Sequence, residues 1–192
     1  GIISGTKTAV VRKQLSEGTR EVSSQERELL RIATLLQDLG QGANVRSMLP
    51  KVLNCMIQGS GSEAGALLIR RSDEVRILGA FNRRGEPVRN IGDLVCLEAL
   101  ELAWDSNDPI LAPRVVDEPR IAEFEALYKN DISSLAVLPL KVDSSHRAAV
   151  YLINPDADQL SQPMGGPILL SYQNLVSLLL PRVVGERPSA VR

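Results

Sequence analysis

The sequence predicts an α+β domain. A central, mostly antiparallel sheet carries an N-terminal helix pair and a C-terminal helix on one face and an α/loop insertion on the other. Three observations predict this. Two pairs of strand-like runs, 64–70 with 75–81 and 134–142 with 147–153, are each joined by a short polar turn. The second pair is apolar on both parities, Leu135, Val137 and Pro139 against Ala136, Leu138 and Leu140, so both faces of the sheet need cover. Apolar residues at helical spacing precede the first pair and follow the second.

The elements follow in order. Ser23 or Ser24 caps a first helix, with Glu26 or Glu28 in its first turn. Leu29, Ile32, Leu36 and Leu39 form its stripe, Leu30 and Ala33 widen it, and Gly40 and Gly42 end it. A second helix carries Met48, Leu49, Val52, Leu53, Met56 and Ile57 and stops at Gly59 and Gly61. Pro50 lies in its first turn if Ser47 is the cap, and kinks it if the helix starts at Asn44. After the first hairpin, 82–87 reads as a turn and 94–104 as a helix with Leu94, Leu97, Leu100 and Ala103 on one side. A short apolar piece at 109–112 precedes a helix over 118–128 carrying Ile121, Phe124 and Leu127. Asp143, Ser144 and Ser145 turn the second hairpin. Residues 154–166 read as a loop, and a last helix starts near Pro167 with Leu169, Tyr172, Val176, Leu179 and Val183 at spacings of three and four.

The 192 residues fit one domain over 23–184, a linker or extension over 1–22 and a disordered tail over 185–192. Net charge is −1, from 22 basic and 23 acidic residues, which gives no general drive towards nucleic acid or an anionic membrane. No run approaches the ~18 apolar residues that span a bilayer. No secretory signal is visible at the start, where Gly1 in place of Met suggests a tag remnant or an excised fragment, and a cytoplasmic setting is expected. Cys55 and Cys96 are read as reduced, buried thiols.

Little in the sequence carries catalytic chemistry. The single histidine, His146, sits in a hairpin turn, and no Cys or His spacing resembles a zinc site. There is no nucleophile elbow and no phosphate-cradling loop. Arg83, Arg84, Arg89 and Arg114 are balanced by Glu118, Glu123 and Glu125 and read as a solvated face. No cofactor, no metal and no enzymatic activity are expected.

The stretch ISSLAVLPLKVDSSHRAAVYLIN resembles the hairpin of the GAF domain, a sensory module of signalling proteins, in its S-hydrophobic-hydrophobic-PL pattern. MLPKVLNCMIQ leading into SEAGALLIRR, and PILAPRVVDEPRIAEF before the hairpin, are similar to the family as well. The resemblance covers about 24–184 and implies a ligand pocket between the sheet and the insertion. The PAS fold is the next choice. The family's cyclic-nucleotide binders continue from the Asn at Asn154 with a Lys, but Pro155 stands here; its bilin binders use a Cys often followed by His, but Leu97 follows Cys96.

What the resemblance implies is a regulatory input domain. It would bind a small molecule or a protein partner and signal through a helical homodimer to an output domain outside this chain, in transcriptional control, with no direct contact to nucleic acid or membrane. Expected ligand-site residues are Phe81, Trp104, Leu111, Phe124, Ser134, Ala136, Tyr151 and Ile153. The expected dimer face is Leu29, Ile32, Leu36 and Leu39 with Leu169, Tyr172, Val176, Leu179 and Val183. Two alternatives stand beside it: a degenerate GAF scaffold that dimerises or docks a protein without ligand, and a thiol-dependent reductase resting on Cys96.

Overall fold

Both expected hairpins form, and they share one sheet. In the computed structural model, which describes residues 25–184, the chain runs α1 (25–40), α2 (Val45–Gly59), β1 (Ala64–Arg71), β2 (Glu74–Asn82), α3 (Leu97–Ser106), β3 (Ile110–Ala112), α4 (Glu125–Lys129), β4 (Leu135–Lys141), β5 (His146–Ile153), α5 (Ala157–Ser161) and α6 (Gly165–Val184). The five strands are ordered β2-β1-β5-β4-β3, every neighbour antiparallel. The expected linker over 1–22, the caps Ser23 and Ser24 and the tail over 185–192 lie outside the described residues.

The double-sided apolar hairpin has a direct structural cause. Leu138, Leu140, Ala148, Val150 and Leu152 join Leu67 and Ile69 of β1 in a core with α1, α2 and α6. Leu135, Val137, Ala149, Tyr151 and Ile153 join Ala64, Ala66 and Leu68 in a second core under the insertion. Strand side chains alternate, so a strand buried on both faces reads as a continuous apolar run. Pro139 is tolerated because β3 pairs only Leu135, Ala136 and Val137, so Pro139 has a strand neighbour on one side alone.

Some elements differ from the expectation. Asn44 caps α2, its Oδ1 accepting from the Arg46 N–H at 2.9 Å. Pro50 therefore lies inside the helix, on an exposed position where the carbonyl that loses its donor can meet water. The expected helix over 118–128 is instead a run of turns followed by α4, with Phe124 extended at its start. The spacing of three between Ile121, Phe124 and Leu127 also suits successive tight turns, and these bury Ile121 and Leu127. The expected loop over 154–166 contains α5, capped by Asp156, whose side chain accepts from the Gln159 N–H at 2.9 Å.

The helical stripes are only partly free. Leu169, Tyr172, Val176 and Leu179 are buried in the chain's own core, and Ile32, Leu39 and Val183 pack half-buried against it. The inward residues of α1 are Glu28 and Leu35, so Leu29 and Leu36 point away and are 51% and 46% exposed. Of the expected dimer face, those two are the large exposed apolar residues; Leu30 on α1 and Leu178 on α6 are exposed as well. By length and composition α6 could cross a bilayer, although the sequence runs had not suggested it; 33% of the segment is buried within the fold.

Candidate functional site

The insertion face has a floor of small residues and a roof of large ones. Ala64, Ala66, Ala80 and Ala149 leave room above the sheet for Tyr151 from β5 and Trp104 from α3. Tyr151 is wholly buried, and its hydroxyl accepts from the Cys96 N–H at 3.0 Å. Burial pushes its phenol pKa up, so it stays a neutral hydrogen-bonding group. Trp104 donates from Nε1 to the Ala148 carbonyl at 2.8 Å. The Arg70 guanidinium lies 4.7 Å from the Trp104 ring centre and pairs with Glu101. Helix α3 is thus fastened to β5 at its start by Tyr151 and near its end by Trp104.

The eight expected ligand-site residues are not brought together. Trp104, Phe124, Tyr151 and Ile153 belong to the insertion-face core. Phe81, Leu111 and Ala136 belong to the helix-face core. The reason is register: Val137 pairs with Tyr151 and Ala136 with Leu152, so Ala136 points away from Tyr151. Ser134 is buried at the start of β4, where its hydroxyl donates to the Pro155 carbonyl at 2.6 Å.

Asn154 has a structural part that its motif position did not suggest. Its Oδ1 accepts from the Ser133 N–H at 2.8 Å and the Ser134 N–H at 3.3 Å. Its Nδ2 donates to the Asp131 carbonyl at 3.1 Å and to Glu63 at 3.2 Å. With its backbone at φ +50°, a region asparagine tolerates, it brackets the end of β5 to the approach to β4.

The thiols are poorly placed for catalysis. Burial raises the pKa of both Cys96 and Cys55, which disfavours the thiolate. Cys96 sits in the insertion-face core, whereas Cys55 packs against the helix-face core, on the other side of the sheet. His146 is held in its turn with Nδ1 at 2.9 Å from Asp143, whose carboxyl it keeps down at about 2. Among the described residues no group of three or more His, Cys, Asp or Glu is placed to hold a metal ion.

The same architecture occurs in solved GAF domains. The GAF domain of a phosphoenolpyruvate-protein phosphotransferase from Coxiella burnetii matches with a TM-score of 0.59 at 11% identity, over 84% of this chain and 96% of that one. Its counterpart from Acinetobacter matches with a TM-score of 0.57 at 10% identity, over 85% and 98%. The GAF domain of a putative sensor histidine kinase from Pseudomonas syringae pv. tomato matches with a TM-score of 0.52 at 18% identity, over 89% and 94%. Scans against protein-family models and curated proteins return no match. The chain has the GAF fold.

Proposed function

We propose that this chain is a regulatory domain that acts as a homodimer through the outer face of α1 and passes its state to an output domain in transcriptional control. The observation that carries the reading is the exposed apolar row on α1. Leu29, Leu30 and Leu36 all face away from the chain's own core, and Leu178 on α6 is exposed as well. Isolated exposed leucines are ordinary, but Leu29 and Leu36 are seven residues apart on one helix, the spacing of a helix–helix seam. The likeness to GAF domains of a phosphotransferase and a sensor kinase supports a regulatory setting, and a cytoplasmic location fits it.

Sedimentation of the full chain at micromolar concentration tests the seam. The wild-type chain is expected to run as a dimer and Leu29→Lys/Leu36→Lys as a folded monomer. A monomeric wild type, or a double variant that stays dimeric, overturns the reading.

A second reading is that a small molecule enters the insertion face. The aromatic pair Trp104 and Tyr151 favours it, since each offers a flat apolar body with a polar edge. Both are buried and committed to protein partners, so a ligand must displace α3 from the sheet. Trp104 is the single tryptophan and reports on that core directly. A ligand at this face shifts the tryptophan emission saturably; a library of flat heteroaromatic compounds that leaves the emission unchanged leaves the dimerising scaffold as the account.

A further inference from the structure

A cavity of about 50 Å³ lies on the other side of the sheet, beneath the first turns of α1, where α2, α5 and α6 meet. Its walls include Gln25 and Glu28 of α1, Met56 of α2, Gln159 of α5, and Ile168 and Tyr172 of α6. A water needs roughly 10–15 Å³ on this measure, so the space corresponds to about three to five water-sized groups. That is about the size of acetamide.

The lining is chemically specific. Glu28 is 8% exposed, and its carboxylate accepts from the Tyr172 hydroxyl at 2.6 Å and from Arg31 at 3.1 Å. Arg31 offsets its charge, so the wall is an acceptor without a net pull on cations. Burial, followed by the Glu28 carboxylate, pushes the Tyr172 phenol pKa up and keeps it a donor. Gly59 makes room for the carboxylate: a Cβ there would stand 2.8 Å from Glu28 Oε2. The Gln159 amide is assigned with its nitrogen towards the Gly59 and Ser60 carbonyls, at 3.2 and 3.3 Å, where it donates to both; its oxygen then lies on the other side of the amide and can accept. Gln25 and Gln162 line the same wall and carry amide groups able to donate, and Met56, Met164 and Ile168 supply adaptable apolar surface.

We propose that this cavity is a binding site for a small neutral primary amide. The ligand NH₂ donates to Glu28 and Gln159, its carbonyl accepts from the glutamine amides, and its alkyl group meets Met56 and Ile168. Binding has a consequence for α1. Across 25–40 only Glu28 and Leu35 are buried, so the helix is lightly held by the rest of the fold. A molecule that touches α1 and three other helices together adds to that hold. The site does not depend on the insertion face or on the dimer reading.

The test is a titration of the isotopically labelled full chain with acetamide, followed by amide NMR shifts and hydrogen exchange. Saturable shifts are expected at Glu28, Ser60, Gln159 and Tyr172. At acetamide ten times its Kd, α1 amides whose opening releases the ligand slow their exchange roughly tenfold. Ile168→Phe fills the cavity and abolishes both effects; Met164→Phe serves the same purpose should the first variant fail to fold. Non-saturating drift spread over all surface amides, or saturable shifts that persist in the filled variant, overturns the proposal.

Discussion

Trp104→Ala is expected to lose about 4 kcal/mol of folding free energy, within the range of about 3–5 kcal/mol for emptying a buried tryptophan site. Three effects add in the same direction. The indole is 6% exposed and sits in the insertion-face core, so its removal leaves a void over the alanine floor of the sheet. The Ala148 carbonyl loses the Nε1–H donor at 2.8 Å and stays buried. Arg70 loses the ring beneath its guanidinium, worth about 0.5–1 kcal/mol at a partly exposed site. Domains of this size hold only about 5–15 kcal/mol in total, so the variant is expected to be marginal at room temperature.

Trp104→Phe separates the effects. It keeps most of the ring and removes the donor, and its expected cost is about 1–2 kcal/mol. Urea unfolding followed by far-ultraviolet circular dichroism measures both, because Trp104 is the only tryptophan and its emission disappears with it. Equal losses in the two variants would mean that the hydrogen bond to Ala148, rather than the packed ring, holds α3 down. A loss below about 1 kcal/mol in Trp104→Ala would mean that α3 is not a fixed roof in solution.

The same core shows what the sequence discloses and what it withholds. Two apolar parities in one hairpin are visible in the residues, and they require two covered faces. Which side chains share a face is also legible in principle, since Ala136 and Tyr151 can be assigned once Val137 is paired with Tyr151. The pocket residues implied by the resemblance mix the two parities, so Phe81, Leu111 and Ala136 lie on the helix face while Trp104, Phe124, Tyr151 and Ile153 lie on the insertion face. Helix α5 had a readable signal as well: Asp156 three residues before Gln159 is a capping arrangement, hidden within a Pro- and Gly-rich stretch. The stripe on α1 was harder. Leu29, Ile32, Leu36 and Leu39 have good helical spacing, but the inward face is defined by Leu35 and by Glu28, whose partner Tyr172 is 144 positions away. A charged residue is ordinarily assigned to solvent, and only the tertiary structure shows a hydroxyl waiting for it. The cavity beneath α1 is illegible for the same reason, because its volume depends on four helices meeting.

Gly65→Ala is expected to destabilise the fold by about 1–3 kcal/mol, the cost of forcing atoms into a packed core. Gly65 lies in β1, an internal strand of the sheet, paired with Phe81 on one side and Leu152 on the other. A Cβ at Gly65 would stand 2.7 Å from Ile57 Cγ1 and 2.9 Å from Leu152 Cδ2. Real carbon pairs do not approach so closely, so α2 or β5 must give way. The glycine is therefore what sets the distance between the helix layer and the sheet. Ile57→Ala alone opens a void and costs about 2–5 kcal/mol. In the double variant the new methyl group occupies part of the space that Ile57 leaves, so the two losses do not add. The double variant is expected to be more stable than the sum of the singles predicts by about 1–2 kcal/mol, measured as a coupling energy from urea midpoints of all four proteins. Strict additivity would show that the strain from Gly65→Ala is taken up at Leu152 instead, and Leu152→Ala would then be the variant that relieves it. The two outcomes differ in reach: strain relieved at Ile57 moves α2 and with it the layer that holds α1, whereas strain relieved at Leu152 stays within the sheet.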